Sequence, residues 1–247
     1  MVKQRLHILL QSKLMLALLI LLFTETAWST AEVVFTFVQM NSPYINDYIL
    51  QNYAARVIVY TIKALLTAVL SVPAMGIFRQ AKKDNGDIQK TLRNMKTVSL
   101  IFAVLCFGSG LAYAVYSFPI RFEFDAVLLY GIPFTVFLEL FSVSLSASSL
   151  SKTLSTGENV STGLVLLQVS SMTAFLLKLT MAGLMFLVGI YGASMSDTRG
   201  LLVTQLFGTF AFNMAVNMIL FFLAKRCYEI IHNDKKFDRI ISKLNHA

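Results

Sequence analysis

Residues 71–96 read SVPAMGIFRQAKKDNGDIQKTLRNMK, and their reading decides the class of fold. The stretch leaves one long apolar run and places Arg79, Lys82, Lys83, Lys90, Arg93 and Lys96 in a polar connection. It then enters a second apolar run, TVSLIFAVLCFGSGLAYAVY, at 97–116. An apolar run of about 20 residues crosses a hydrocarbon core ~30 Å thick. Lysine and arginine concentrated between two such runs mark a connection retained on the cytoplasmic side. The segment therefore predicts a membrane hairpin with a basic turn.

The rest of the chain extends this pattern. Its 247 residues are 56% hydrophobic and 14% charged, with a mean hydropathy of +0.68. Soluble domains carry about 25% charged residues. The predicted fold is all-α: a polytopic helical membrane bundle with spans at about 14–37, 53–78, 97–118, 126–149, 164–191 and 201–225. A closed β-barrel would alternate with period two, and no segment does. Residues 1–225 form one six-helix lobe in this reading, and 226–247 a basic cytoplasmic tail.

Charge orients the lobe. Sixteen Lys and Arg fall on one side: Lys3, Arg5, Lys13, the six of the 71–96 segment, Lys152, Lys225, Arg226, Lys235, Lys236, Arg239 and Lys243. The other side holds Arg121 and Arg199. Both termini are expected in the cytoplasm. The net charge of +8 is explained by this asymmetry, so nucleic acid is not an expected partner. Cys106 and Cys227 differ in depth and compartment, which opposes a disulfide. His7, His232 and His246 have no ligand spacing, so no metal and no cofactor is expected. The Asn159-Val-Ser acceptor lies in a connection predicted to be cytoplasmic and is discounted. An alternative at the N-terminus is a signal peptide ending after Ala31, but EVVFTFV continues the apolar run and favours a retained helix.

Polar residues are costly in hydrocarbon, so their phase on a helix is informative. In the first span Glu25, Ser29, Glu32 and Thr36 recur every three or four residues. In the second, Tyr53, Arg56, Tyr60, Lys63, Thr67 and Ser71 do so; in the fourth, Thr135, Glu139, Ser142 and Ser146. The fifth offers Gln168, Ser171 and Lys178, and the sixth Gln205, Thr209, Asn213 and Asn217. Two readings stand side by side: ion pairs and hydrogen bonds gluing helices together, or a hydrated path along the bundle axis. The length of the stripes and their number favour the path. Glu25, Glu32, Arg56, Tyr60, Lys63, Glu139, Lys178 and Asn213 are its candidate substrate or ion residues.

Gly108-Ser-Gly110, Ala182-Gly-Leu184 and the Gly189–Gly192 pair permit close helix approach. Pro73 and Pro133 are expected to kink or bound their spans, and the aromatic patch from Phe207 to Phe212 to face lipid or a packing surface. The chain has no nucleotide-binding Gly-rich loop, no HExxH and no nucleophile elbow, and is not expected to be an enzyme.

The order of residues in the opening segment carries a resemblance. AVLSVPAMGIFRQAKKDNGDIQKTLRNMK resembles the second-helix exit of the MATE (multidrug and toxic compound extrusion) transporters, through Gln80-Ala81, Gly86-Asp87 and the run from Ile88. YGIPFTVFLELFSVSLSASSLSKTLSTGENVSTGLVLLQVSSM is similar to that family's fourth helix, its Gly-acidic turn (here Gly157-Glu158) and its fifth helix. GIYGASMSDTRGLLVTQLFGTFAFNMAVNMILFFLAKR resembles the link into its sixth.

The resemblance implies a membrane transporter exporting a small molecule by alternating access, coupled to H+ or Na+, in a bacterial cytoplasmic (inner) membrane. Typical members have two six-helix lobes; this chain supplies one, so a homodimer, or a heterodimer with another half-length chain, is implied. It departs from the family where many members carry an acidic residue low in the first helix: Thr36 falls there, with Glu32 one turn away. Leu19 stands where the family has a helix-one proline. Alternatives are a flippase for a lipid-linked or other anionic amphipathic substrate, if Arg56, Lys63 and Lys178 lack acidic partners, and an accessory membrane subunit without transport activity.

Overall fold

The structure is a computed structural model. It describes the backbone of residues 2–40, 47–83, 87–117, 124–157, 160–192 and 197–232, and side chains over 4–38, 57, 61–83, 87–108, 111, 134, 136–157, 160–180, 182–183 and 211–232. Seven helices fill the described residues: α1 (Val2–Leu10), α2 (Lys13–Met40), α3 (Asp47–Ala81), α4 (Ile88–Ser117), α5 (Phe124–Thr156), α6 (Thr162–Gly192) and α7 (Asp197–His232). Five of the six expected spans lie within one helix each, and the remaining one, 97–118, lies within α4 except for its last residue, which is outside the described residues. Four stretches are long and apolar enough to cross a membrane: Lys13–Val38, Thr61–Ala81, Ile88–Gly108 and Thr162–Thr180. The chain is thus a helical bundle with the character of a multi-span membrane protein. The other two expected spans run through α5 and α7, where more than a third of each span's side chains lie outside those described.

The six long helices form a ring. Each of α2 to α6 packs on the helix that follows it, and α7 closes back on α2. The starts of α2, α4 and α6 meet the ends of α3, α5 and α7 in a single apolar cluster, so neighbours run antiparallel. That cluster joins Met15, Leu18 and Leu22 with Ala74, Ile77, Ile88, Leu92, Leu150, Leu154, Leu164 and Ile230. Arg79, Lys82, Lys83, Lys90, Arg93, Lys96, Lys152, Lys225 and Arg226 are all exposed, and all belong to this end of the bundle.

Local chemistry sets the helix ends. Asp87 caps α4 by accepting the Lys90 amide at 3.0 Å, as short acidic side chains do at an N-terminus. Gly157 ends α5 at φ 74°, the left-handed position that favours glycine. α1 was not expected as a separate element. A turn at Gln11 and Ser12, whose amides bond back to His7 and Leu9, divides it from α2.

Three expectations meet the structure. Of the two roles expected of Pro73, bounding the span does not hold: α3 runs through it to Ala81. Gly108 and Gly183 have open space around them, so they do not mediate close approach. Gly76 and Gly163 do. A Cβ on Gly76 would meet Thr91 Cγ2 of α4 at 2.6 Å, and one on Gly163 would run into the Leu145 backbone and the Ser146 amide of α5. Phe212, expected to face lipid or a packing surface, does the second: it is half-buried against Trp28, with ring centroids 5.8 Å apart, in the α2–α7 joint. Phe207 to Phe210 lie outside the described side chains.

The outer surface is apolar. Ile20, Phe23, Ile62, Leu65, Ile101, Val104, Val169 and Leu176 are exposed, and Val72 is 70% exposed. An apolar surface of this extent is matched by lipid rather than by water.

Candidate functional site

The inward faces of the long helices change character along the axis. On α2 the face carries Met15, Leu18, Leu19 and Leu22, then Glu25, Ser29, Glu32 and Thr36, all buried. On α3 it runs the other way, from Lys63, Thr67 and Ser71 to Ala74, Ile77 and Phe78. α5 passes from Glu139 and Ser142 to Leu150 and Leu154, and α7 from Asn213 and Asn217 to Cys227 and Ile230. Apolar side chains form a floor at the basic end, and a layer of buried polar side chains, called the polar chamber below, lies above it. The helix period makes each face continuous; the composition switches within about one turn on α2 and α3, while α5 also buries Ser146, Ser149 and Thr153 among its leucines.

Four of the eight candidate residues pair off in this chamber. Lys63 Nζ lies 3.5 Å from Glu25 Oε1, joining α3 to α2. Lys178 Nζ lies 3.3 Å from Glu139 Oε2, joining α6 to α5. The two pairs belong to one electrostatic cluster: Glu25 also feels Lys178 and Glu32, and Glu139 feels Glu25. Trp28 donates its indole N–H to Glu32 Oε1 at 3.0 Å, holding that carboxylate against its own helix. Asn213 is half-buried on α7. Arg56 and Tyr60, both on α3, lie outside the described side chains.

Hydroxyl groups knit the helices beside these pairs. Thr26 donates to Thr67 at 3.0 Å across α2 and α3. Ser144 donates to the Lys96 carbonyl at 3.0 Å across α5 and α4. Ser146 donates to the Gly163 carbonyl at 2.8 Å, and Ser149 accepts the Gly163 amide at 3.3 Å. The missing side chain of Gly163 is what lets α5 and α6 come within reach of both bonds.

Back-bonding to the helix satisfies hydroxyls on both faces, Thr36, Ser142 and Thr153 among the buried ones. Thr24, Thr30, Thr61 and Thr180, exposed on the outside, each donate to a carbonyl four residues earlier, at 2.7 to 2.9 Å. A hydroxyl facing lipid has only its own helix to bond to. Inside, Ser29 and Ser171 are 0% exposed and Asn217 is 2% exposed, yet Ser29 Oγ, Ser171 Oγ, Asn217 Nδ2 and Glu139 Oε1 have no hydrogen-bond partner among the described residues. Leaving such a group dry and unbonded costs about 1–3 kcal/mol each. Buried polar atoms of this kind are ordinarily satisfied by water or a bound solute.

Sequence periodicity identified the polar stripes, and with them Ser29, Ser171 and Asn217. It missed Ser99, Ser144 and Ser170, all buried, and it missed the apolar floor. The signal for the floor was available: Leu18 and Leu22 continue the face of Glu25 and Ser29 at the same spacing. Among the described residues no group of His, Cys, Asp and Glu could hold a metal ion. An apolar groove of about 740 Å³ along α2, lined by Ala27, Thr30, Ala31, Val34, Phe35 and Val38, lies on the opposite side of that helix from the chamber.

Compared with known protein families, curated proteins and solved structures, the chain has no match.

Proposed function

We propose that the chamber is a hydrated passage for a small polar solute, and that the chain is a half-length, MATE-like transporter acting as a parallel pair of lobes. The observation that carries this reading is that Ser29 Oγ, Ser171 Oγ and Asn217 Nδ2 are buried without a hydrogen-bond partner among the described residues. A bundle held together only by glue has no use for buried polar atoms without partners. In this reading all six long helices span the membrane, with the basic end in the cytoplasm by the positive-inside rule. An even number of spans leaves both ends of the lobe on one side, so two copies can pair about an axis along the membrane normal.

Charge narrows the solute. The case for an anionic or lipid-linked pyrophosphate substrate needs Arg56, Lys63 and Lys178 without acidic partners; both lysines have a carboxylate, and the Arg56 side chain lies outside those described. We therefore favour a small organic solute of low net charge or a cation. Coupling to H+ or Na+ is part of the proposal.

The experiment is efflux from proteoliposomes loaded with cationic dyes or with members of an antibiotic panel, alongside native mass spectrometry of the 27.6 kDa chain. The reading expects flux through a dimer, lost in Asn217→Leu at unchanged yield and melting temperature. A monomer without flux, found only in a stable complex with another membrane protein, would replace it with the accessory-subunit reading.

A further inference from the structure

α1 occupies an unusual place. Its nine residues lie against α2, α3, α5 and α7 at the basic end, at the mouth of the ring. Leu6 and Leu10 are buried in the apolar floor together with Ile77, Leu150, Cys227 and Ile231. Arg5 is also buried, and Gln11 donates its side-chain amide to the Ala81 carbonyl, where α3 ends. Removing α1 would take Leu6 and Leu10 out of the cluster they share with Cys227, which is 1% exposed.

α1 is also separable. The helix breaks at Gln11 and Ser12 before α2 begins. A helix of nine residues is marginal by itself in water, below the length of about 12–15 residues at which isolated helices begin to hold. Its order therefore depends on a surface to lie on. Two are at hand: the floor of the bundle, and the cytoplasmic leaflet. The sequence VKQRLHILL mixes Lys3, Arg5 and His7 with Leu6, Ile8, Leu9 and Leu10, a composition suited to an anionic membrane surface.

We infer that α1 is a cytoplasmic gate: docked, its leucines complete the floor and close the polar chamber from below; withdrawn onto the leaflet, it opens the chamber to the cytoplasm. This rests on the chamber being a solute pathway. The gate and the tie to Ala81 work together, since Gln11 fixes the hinge while Leu6 and Leu10 fill the mouth.

The native cysteine reports on the floor and an introduced one on the chamber. With Cys106→Ala, Cys227 is the one thiol left; with Cys106→Ala, Cys227→Ala and Ser171→Cys, the one thiol sits in the chamber. Each chain is labelled with a membrane-impermeant maleimide in inside-out vesicles, alone and combined with Leu6→Asp or Gln11→Ala. The gate predicts that both substitutions raise labelling of Cys227 and of Ser171→Cys together, by about tenfold or more in the Leu6→Asp chain, as release of a local closed state does. In right-side-out vesicles neither substitution should change labelling of Ser171→Cys. Gln11→Ala removes only the tie, so it decides the matter if the Leu6→Asp chain elutes as misfolded protein.

Inert Cys227 in the substituted chains would show α1 fixed in place and would end the gate while leaving the passage standing. A rise at Cys227 with Ser171→Cys silent from both sides of the membrane would make α1 a cover over a solid core. In that case both the gate and the passage fail.

Discussion

Lys178 Nζ stands 3.3 Å from Glu139 Oε2, binding the middle of α6 to the middle of α5 with both side chains largely shielded. The bond has one satisfied carboxylate oxygen and one, Oε1, without a hydrogen-bond partner among the described residues. An ion pair is therefore in place with acceptor capacity left over, which suits a group that both holds two helices and meets water or solute.

The first prediction concerns this pair. Lys178→Ala leaves a buried carboxylate alone, and breaking such a pair from one side costs roughly 3–5 kcal/mol. The double replacement Glu139→Gln with Lys178→Met removes both charges and should recover most of that loss. Thermal unfolding in mild detergent measures it. If flux is lost in the double variant while the melting temperature returns, the pair serves transport as well as folding.

Glycine supplies the second. Gly163→Ala puts a methyl group into the Leu145 and Ser146 backbone, so α6 must back away and the Ser146 bond to the Gly163 carbonyl is lost. Overpacking of this kind costs about 1–3 kcal/mol. Gly183→Ala, with open space around it, should be neutral within experimental error. Equal melting temperatures for the two variants would contradict the α5–α6 contact described above.

The third tests which surface meets lipid. Val104 on α4 points outward. An aspartate in the centre of an inserted helix costs roughly 2.5–3.5 kcal/mol, so Val104→Asp should lower the inserted fraction of α4 in a membrane-insertion assay. Ser142→Asp, facing the chamber, should be tolerated better. The reverse ranking would turn the bundle inside out.

Alkaline pH provides the fourth. Burial pushes the Cys227 thiol from its ordinary 9.0 up to about 12. A thiol held neutral in the fold and free to ionise when unfolded adds stability that is fully present below pH 9. That contribution declines as pH rises toward 12. Wild-type stability relative to Cys227→Ala should accordingly fall between pH 9 and pH 12, and the two curves should run parallel below pH 8. Chemical denaturation across that range gives the comparison.

Much of this architecture is legible in the residues. Hydrophobic length and basic connections give the long helices, because the cost of charge in hydrocarbon leaves few other arrangements. Glu25, Lys63, Glu139 and Lys178 announce themselves for the same reason. Which lysine meets which glutamate does not follow from periodicity, since it depends on the register between helices; Thr26 opposite Thr67 and Gly163 against Ser146 set that register through contacts many residues apart. Glycine clusters drew attention to Gly108 and Gly183, while the lone Gly76 and Gly163 do the close packing, because a glycine's meaning lies in what stands opposite. α1 was hidden by its mixed composition, which reads equally as the basic start of a leader or as a helix.

Ring order has a consequence for how such a chain enters the bilayer. The Glu25–Lys63 pair lies within the hairpin of α2 and α3, and the Glu139–Lys178 pair within that of α5 and α6. Each lysine follows its glutamate by a single connection, so a charge need wait only for the next helix to be synthesised. Two strongly ionic segments can thus be handed from the insertion machinery to lipid as neutral units. The joint that must wait for the whole chain, Trp28 against Phe212, is aromatic and carries no charge to leave stranded.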